Sequence, residues 1–462
     1  ISVDLAGSTI IQQTPFQSLW NNFKLLTTLS YQDLLTIGPS IGFYPDNSSS
    51  WSYNSSASIY GSVGVSNNVN NYLAPVVQGA LNSLEQSNTG MYQRQKLWNF
   101  NTLGLTGVGQ SAFSVLVSQT ALNQVFKSQV IKCSAGVWQA NIIATVFLRH
   151  LHSFFDKMPL CKGVFMKITL NLNNTVVVFN QTTAKVMTQT QGSCQFPLGG
   201  VNPIMIASAV ASSGSASALS TTTATDFTVS LSVGGSPIDA ASKTAVAGTA
   251  GPLLNMTLSV PSYTFNPIYE QAYLSNPVRK IDYEDIYQYQ VLSVAAAGTF
   301  NNLITNGIAG IKSVLVIPFH SAVSAVNNAI SPLQSAFDSA GGGTTSPLTF
   351  LNNFNVVISG QNAIYNSQRY TYEEFLNQLN GQNGVNGSQI DGMSSGLISQ
   401  YDFESSYNYY YVNVERCLPM EKGVSKSVNI IGQNQSLFAI DLYVFISYGC
   451  SVNLNLFTGQ RV

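Results

Sequence analysis

Ile440-Asp441-Leu442-Tyr443-Val444-Phe445-Ile446-Ser447-Tyr448-Gly449-Cys450-Ser451-Val452-Asn453-Leu454-Asn455-Leu456 decides the fold class. Ile440, Leu442, Val444, Ile446 and Tyr448 recur every second residue, which puts them on one face of a strand. Val452, Leu454 and Leu456 repeat the pattern, alternating with Asn453 and Asn455. Gly449 between the runs reads as a turn, so two long antiparallel strands are expected to close the chain.

The same alternation recurs upstream. Met166, Ile168, Leu170 and Leu172 are separated by Lys167, Thr169 and Asn171; Asn173-Asn174 suits a turn before Val176-Val177-Val178-Phe179, so a hairpin is expected. Phe227, Val229, Leu231 and Val233, then Leu254, Met256, Leu258 and Val260, then Phe354, Val356 and Ile358, each mark a half-buried strand. Helical spacing is the exception. Short helices are expected around Val76 to Leu84, around Pro267 to Leu274, and at Thr371 to Asn380, where Thr371 and Glu374 have capping-box spacing and Gly381 follows the end. Many strands punctuated by Gly, Pro, Asn and Ser, with no regular βαβ alternation, predict an all-β chain of sandwiches or barrels.

Two stretches read as long excursions: Gln189 to Gly251, dominated by Ser, Ala, Thr and Gly, and Ser321 to Pro347, which includes Gly341-Gly342-Gly343. A helix-like segment bracketed by Pro267 and Pro277 divides two strand systems. The expected organisation is a first domain over residues 1–265 with an insertion at about 189–251, a connecting segment 266–279, and a second domain over 280–462. Both halves contain an apolar strand running into an aromatic and a His, at Ala144 to His152 and at Val314 to His320.

Charged residues make up 8% of the chain, where about a quarter is typical. Asn, Gln, Ser and Thr solvate the surface instead, as in Asn47-Ser48-Ser49-Ser50 and Asn380-Gly381-Gln382-Asn383-Gly384. Uncharged polar walls lose little on mutual desolvation, which points to assembly. The net charge is −1, and no basic run exceeds Arg279-Lys280, so no footprint for nucleic acid is present. Five cysteines, Cys133, Cys161, Cys194, Cys417 and Cys450, are scattered without metal-type spacing, and no disulfide scaffold is expected. No apolar run reaches the roughly 18 residues a membrane-spanning helix needs.

Only three histidines, His150, His152 and His320, are available for acid–base or metal chemistry. On a strand, His150 and His152 share a face and could bind zinc with Asp156 or Cys161 as a third ligand; only two ligands are placed, and side chains packed under a rim fit equally. Gly392-Met393-Ser394-Ser395-Gly396 matches a nucleophile elbow literally, yet no His follows His320, so Ser394 lacks its base and the segment reads as a loop. Asp282, Glu284 and Asp285 could hold a cation, but Arg279 and Lys280 are simpler partners. Tyr407-Asn408-Tyr409-Tyr410-Tyr411 could stack on sugars or bases, though sheet packing suits it better. No Gly-Lys dipeptide exists, which excludes a phosphate-binding P-loop. No catalytic, cofactor-binding or metal residue is assigned, and no cofactor is expected.

Several segments, in order, resemble double jelly-roll major capsid proteins of the virophage and polinton-like virus type. They are Phe154-Phe155-Asp156-Lys157-Met158-Pro159-Leu160-Cys161-Lys162-Gly163; Leu258-Ser259-Val260-Pro261-Ser262-Tyr263 through Asn266-Pro267; Lys280-Ile281-Asp282-Tyr283-Glu284-Asp285; Phe300 to Ile308; and Val314 to Phe319. Tyr370-Thr371-Tyr372-Glu373-Glu374-Phe375, Tyr411-Val412-Asn413-Val414-Glu415-Arg416 and Asp441-Leu442-Tyr443-Val444-Phe445 extend the likeness, which covers roughly residues 140–462. The resemblance implies two eight-stranded antiparallel jelly-roll barrels side by side, with short helices and long loops. It further implies a homotrimer forming pseudo-hexagonal capsomers, an icosahedral shell around a DNA genome, and no enzymatic activity. Implied partners are further copies of the chain, penton and minor capsid proteins, and a host receptor at the outer loops; the implied location is the virion, assembled inside the host cell. The alternative is an all-β carbohydrate-binding or adhesive surface or fibre protein.

Overall fold

The computed structural model describes residues 1–45, 130–134, 137–140, 145–170, 176–180, 194–195, 226–230, 257–321, 349–365, 369–380, 394–405, 407–415, 423–436 and 439–462. The described residues are mostly antiparallel β-sheet with short helices. Before Thr257 the strands are β1 (Ser2–Leu5), β2 (Ser8–Ile11), β3 (Val130–Ser134), β4 (Val137–Ala140), β5 (Met166–Thr169), β6 (Val176–Asn180), β7 (Cys194–Gln195) and β8 (Asp226–Ser230). They form sheets ordered β2-β1-β5, β3-β4 and β7-β6-β8.

The remaining strands are β9 (Val278–Val294), β10 (Thr299–Ile308), β11 (Ile311–His320), β12 (Leu351–Ile358), β13 (Gln361–Asn362), β14 (Tyr410–Asn413), β15 (Lys426–Asn434) and β16 (Ile440–Asn455). They form two four-stranded sheets, ordered β9-β16-β11-β14 and β10-β15-β12-β13. The pairing is nested. First and last strands pair (β9 with β16), then second and seventh (β10 with β15), third and sixth (β11 with β14), and fourth and fifth (β12 with β13), all antiparallel. The described strands after Thr257 are thus wired like one long hairpin folded back on itself.

The core between the two sheets is built from alternate residues. Val314 and Val316 of β11, Val412 of β14, and Leu442, Val444 and Ile446 of β16 face Phe354 and Val356 of β12 and Val428 and Ile430 of β15. Full burial of each such side chain contributes about 1.5–3 kcal/mol before entropy is counted. The opposite face of β9-β16-β11-β14 is apolar as well, carrying Leu315, Ile317, Tyr443 and Phe445. It is covered by Phe23 and Leu26 of α1 (Gln17–Thr28), by α2 (Tyr31–Ile41) and by Phe375 of a later helix, Tyr372–Leu379. A third core joins Val3, Leu5, Ile10 and Ile11 of β1 and β2 to Phe154 and to Ile281, Val452 and Leu454 at the foot of β9 and β16.

Among the described residues the helices after α2 are α3 (Leu148–Leu151), α4 (Phe154–Lys157), α5 (Pro267–Leu274), α6 (Tyr372–Leu379) and α7 (Gln400–Ser405). Helices α5 and α6 stand where the sequence placed them, with Thr371 accepting from the Glu374 N–H at 3.4 Å. Val76 to Leu84, Gly381 and most of both excursions lie outside the described residues. Asp226–Ser230, inside the first excursion, is strand β8. Among the described residues no helix is long and apolar enough to cross a membrane.

Four local expectations are corrected. The chain closes in one sixteen-residue strand, not two, because Gly449 stays in the ladder opposite Glu284 while its N–H bonds Gly310 O at 2.9 Å. Here glycine permits close backbone approach instead of a turn: a Cβ on Gly310 would lie 3.4 Å from Gly449 O. β5 does not form a hairpin with β6; it pairs with β1, and β6 pairs with β7 and β8. Thr257–Val260 has no strand partner among the described residues. Leu148–Leu151 is a helical turn where a strand running into His152 was expected.

Candidate functional site

Helix α1, the α3–α4 segment and the sheet β9-β16-β11-β14 meet around a cleft of about 230 Å³ whose polar lining includes Asn21, Lys24, His152, Glu284, Lys312 and Glu415. Lys312 reaches from β11 to the Glu284 carboxylate at 2.6 Å. Asn21 Oδ1 is buried with no partner among the described residues.

His152 stands at the back of this cleft, 4% exposed. Its Nδ1 accepts the Phe154 N–H at 3.2 Å, which leaves the ring proton on Nε2, facing Asp285 Oδ1 at 3.4 Å. The same carboxylate oxygen accepts the Ile286 N–H at 2.8 Å. Both ring nitrogens are therefore engaged in tying the α3–α4 segment to β9. His150 lies on helix α3 with its ring 5.4 Å from that of Phe147. Burial, then the positive charges of Arg149 and Lys24, push its pKa down.

The zinc geometry considered for His150 and His152 required a strand; a helical turn followed by an extended residue does not hold the two rings on one face. Asp156 is on α4, and the Cys161 thiol donates to Pro159 O at 3.3 Å, with its pKa raised by burial. Among the described residues no group of three His, Cys, Asp or Glu is placed to hold a metal ion. The β9 carboxylates divide among separate partners: Asp282 pairs with Lys280 at 2.9 Å, Glu284 with Lys312, and Asp285 with His152. Arg279 instead stacks over Tyr273 at 5.1 Å.

Gly392 and Met393 lie outside the described residues; Ser394, Ser395 and Gly396 form a structural latch. The Ser395 hydroxyl bonds Tyr372 OH at 2.8 Å and donates to Ile398 O, and Ser394 N–H donates to Asn380 Oδ1 at 3.1 Å. Gly396 and Leu397 then grip the end of α1, Leu397 N–H donating to Leu26 O at 2.8 Å. The tyrosine run is packed: Tyr407 and Tyr409 are buried under α1, and Tyr410 enters the core between the sheets, where its hydroxyl accepts the Leu351 N–H at 2.8 Å.

Sequence reasoning missed how side chains close sheet edges. Tyr370 OH accepts the Tyr411 N–H at 3.2 Å and donates to Tyr411 O, and Gln378 Oε1 accepts the Asn413 N–H at 3.0 Å, sealing β14. At the foot of β9 the Ser153 hydroxyl accepts from Glu284 N at 2.8 Å and donates to Glu284 O at 2.9 Å. No local pattern announces such partners, because they lie far apart in sequence.

No protein-family model matches this chain, and no curated protein sequence does. Among solved structures it is similar to the mavirus major capsid protein, over 49% of this chain and 49% of that one, with 8% sequence identity and a TM-score of 0.23. The match spans about half of the mavirus protein's length.

Proposed function

We propose that this chain is a viral major capsid protein whose residues 1–265 and 280–462 form two jelly rolls side by side. The observation that carries the reading is the nested strand pairing of β9 to β16, formed by segments that resemble the second barrel of that family. A jelly roll hides most of its main chain between paired strands and leaves loops and chosen edges to make contacts, which suits a shell unit. The low charge fits as well: uncharged polar walls meet at little desolvation cost. In this reading the protein has no enzymatic activity; it trimerises into pseudo-hexagonal capsomers, which tile an icosahedral shell around a DNA genome.

The test is the mass of the native protein by light scattering coupled to size exclusion, with negative-stain imaging of the same sample. A trimer near three times 49.7 kDa, or hexagonal particles and shells, is the expected outcome. A stable monomer that binds glycans would replace this reading with the adhesive one.

A further inference from the structure

We infer that the outer edge of β9 at Gln288 and Gln290, unpaired among the described residues, is a strand-pairing surface for a second copy of this chain, the two β9 strands meeting antiparallel across a two-fold axis. The register fixes which groups point outward. Gly449, opposite Glu284, turns its N–H towards Gly310 of β11, so the β9 residues opposite Gly449, Ser447, Phe445 and Tyr443 turn their N–H and C=O groups away from the sheet. Those residues are Glu284, Ile286, Gln288 and Gln290. The first two are occupied from within the chain, Glu284 by the Ser153 hydroxyl and Ile286 O by Thr14 Oγ1 at 3.1 Å. For the outward main-chain groups of Gln288 and Gln290, no partner is present among the described residues. The other edge of the same sheet, β14, is sealed by Tyr370 and Gln378.

Edge strands of proteins that remain single are protected by charge, proline or a bulge. At Gln288 and Gln290 none of these is present: no charged residue and no proline occurs between Asp285 and Lys312, the ladder is regular from Glu284 to Val291, and the strand's register shift falls beyond it, between Val291 and Val294. Tyr287, Tyr289 and Leu292 are 37%, 39% and 60% exposed along it. The occupant must therefore be an uncharged extended segment with apolar side chains at alternate positions, which describes the 286–292 stretch of β9 itself. In the two-fold pairing Gln288 of each copy exchanges both main-chain bonds with Gln290 of the other, and the two Tyr289 rings stand opposite each other, a favourable cross-strand pair. The inference rests on edge geometry and not on the capsid reading; in a shell it would supply a contact between capsomers.

The test uses the full chain. Self-association is measured by sedimentation across a concentration series, with hydrogen exchange read at the Gln288 and Gln290 amides. Gln290→Pro removes an outward N–H, a substitution an edge strand tolerates, so the fold should survive by circular dichroism. Tyr289→Lys places two ammonium groups face to face, and Tyr289→Phe is the conservative control. The expected result is a concentration-dependent two-fold species in which both amides are protected, weakened roughly tenfold or more by Gln290→Pro and Tyr289→Lys but not by Tyr289→Phe. Self-association at wild-type strength in both variants, fast exchange of both amides in the associated state, or a monomer at every concentration would overturn it. Shell formation is scored separately: shells with unprotected Gln288 and Gln290 would sink this contact alone, and an edge-paired dimer that never builds a shell would sink the capsid reading alone.

Discussion

Replacing Gly396 by Ala should unseat helix α1 from the outer face of the sheet. Gly396 has φ +65°, and a Cβ there would fall 2.4 Å from Leu26 O and 2.6 and 2.7 Å from the carbonyl carbon and oxygen of Thr27. All three are backbone atoms, so no side chain can swing aside. The left-handed conformation costs an alanine about 1 kcal/mol, relieving the overlap at least about 1 more, and the Leu397 N–H bond to Leu26 O, lost as the loop retreats, about another 1. A total near 3 kcal/mol corresponds to a roughly hundredfold rise in the open population of α1. Gly360 supplies the control: its φ is +85°, but nothing lies within 4 Å of the Cβ position, so Gly360→Ala should cost only about 1 kcal/mol for conformation. Hydrogen exchange of peptides covering residues 17–28 reads the local opening. If α1 exchanges no faster in Gly396→Ala than in Gly360→Ala, the latch is not what holds the helix.

Tyr410→Phe should destabilise the protein by about 1–3 kcal/mol in denaturant titration, because it leaves the buried Leu351 N–H without its acceptor. The Cys450 thiol, pushed up to about 11 chiefly by burial and then by Asp285, should alkylate at pH 8 roughly a hundredfold more slowly in the native protein than in denaturant, read site by site by mass spectrometry. Asp33 has its pKa lowered by the Ser30 hydroxyl and then the Ser30 N–H, the reciprocal cap of α2. Because the folded-state pKa is depressed, this support for the helix is present above the ordinary carboxylate pKa and is lost as pH falls through the lowered value. Ser30→Ala should return the Asp33 titration, followed by NMR, towards the ordinary range.

The alternation of Phe354, Val356 and Ile358 and the apolar run from Val314 to Phe319 marked strands that the structure contains, and the Thr371 and Glu374 spacing marked a helix that stands there. Period-two burial and helix caps depend on neighbours a few residues away, so they are written locally. The same economy of signal misled at Gly449, where a glycine within a strand and one at a turn look alike. It misled again at Leu148 to Leu151, where a short apolar run carries no distinct period.

For the candidate site, the amino-acid sequence alone determined that histidine and carboxylate side chains would be few and that uncharged polar residues would far outnumber charged ones. Only the tertiary structure decided the partners. His152 meets Asp285 across 133 positions, Thr14 meets Ile286 across 272, and Leu397 meets Leu26 across most of the chain. Which part of the outer edge of β9 is occupied from within the chain follows from such long-range bonds, at Glu284 to Ser153 and at Ile286 to Thr14. Composition and period record how much of each residue is buried; which distant group buries it is settled when the sheets close.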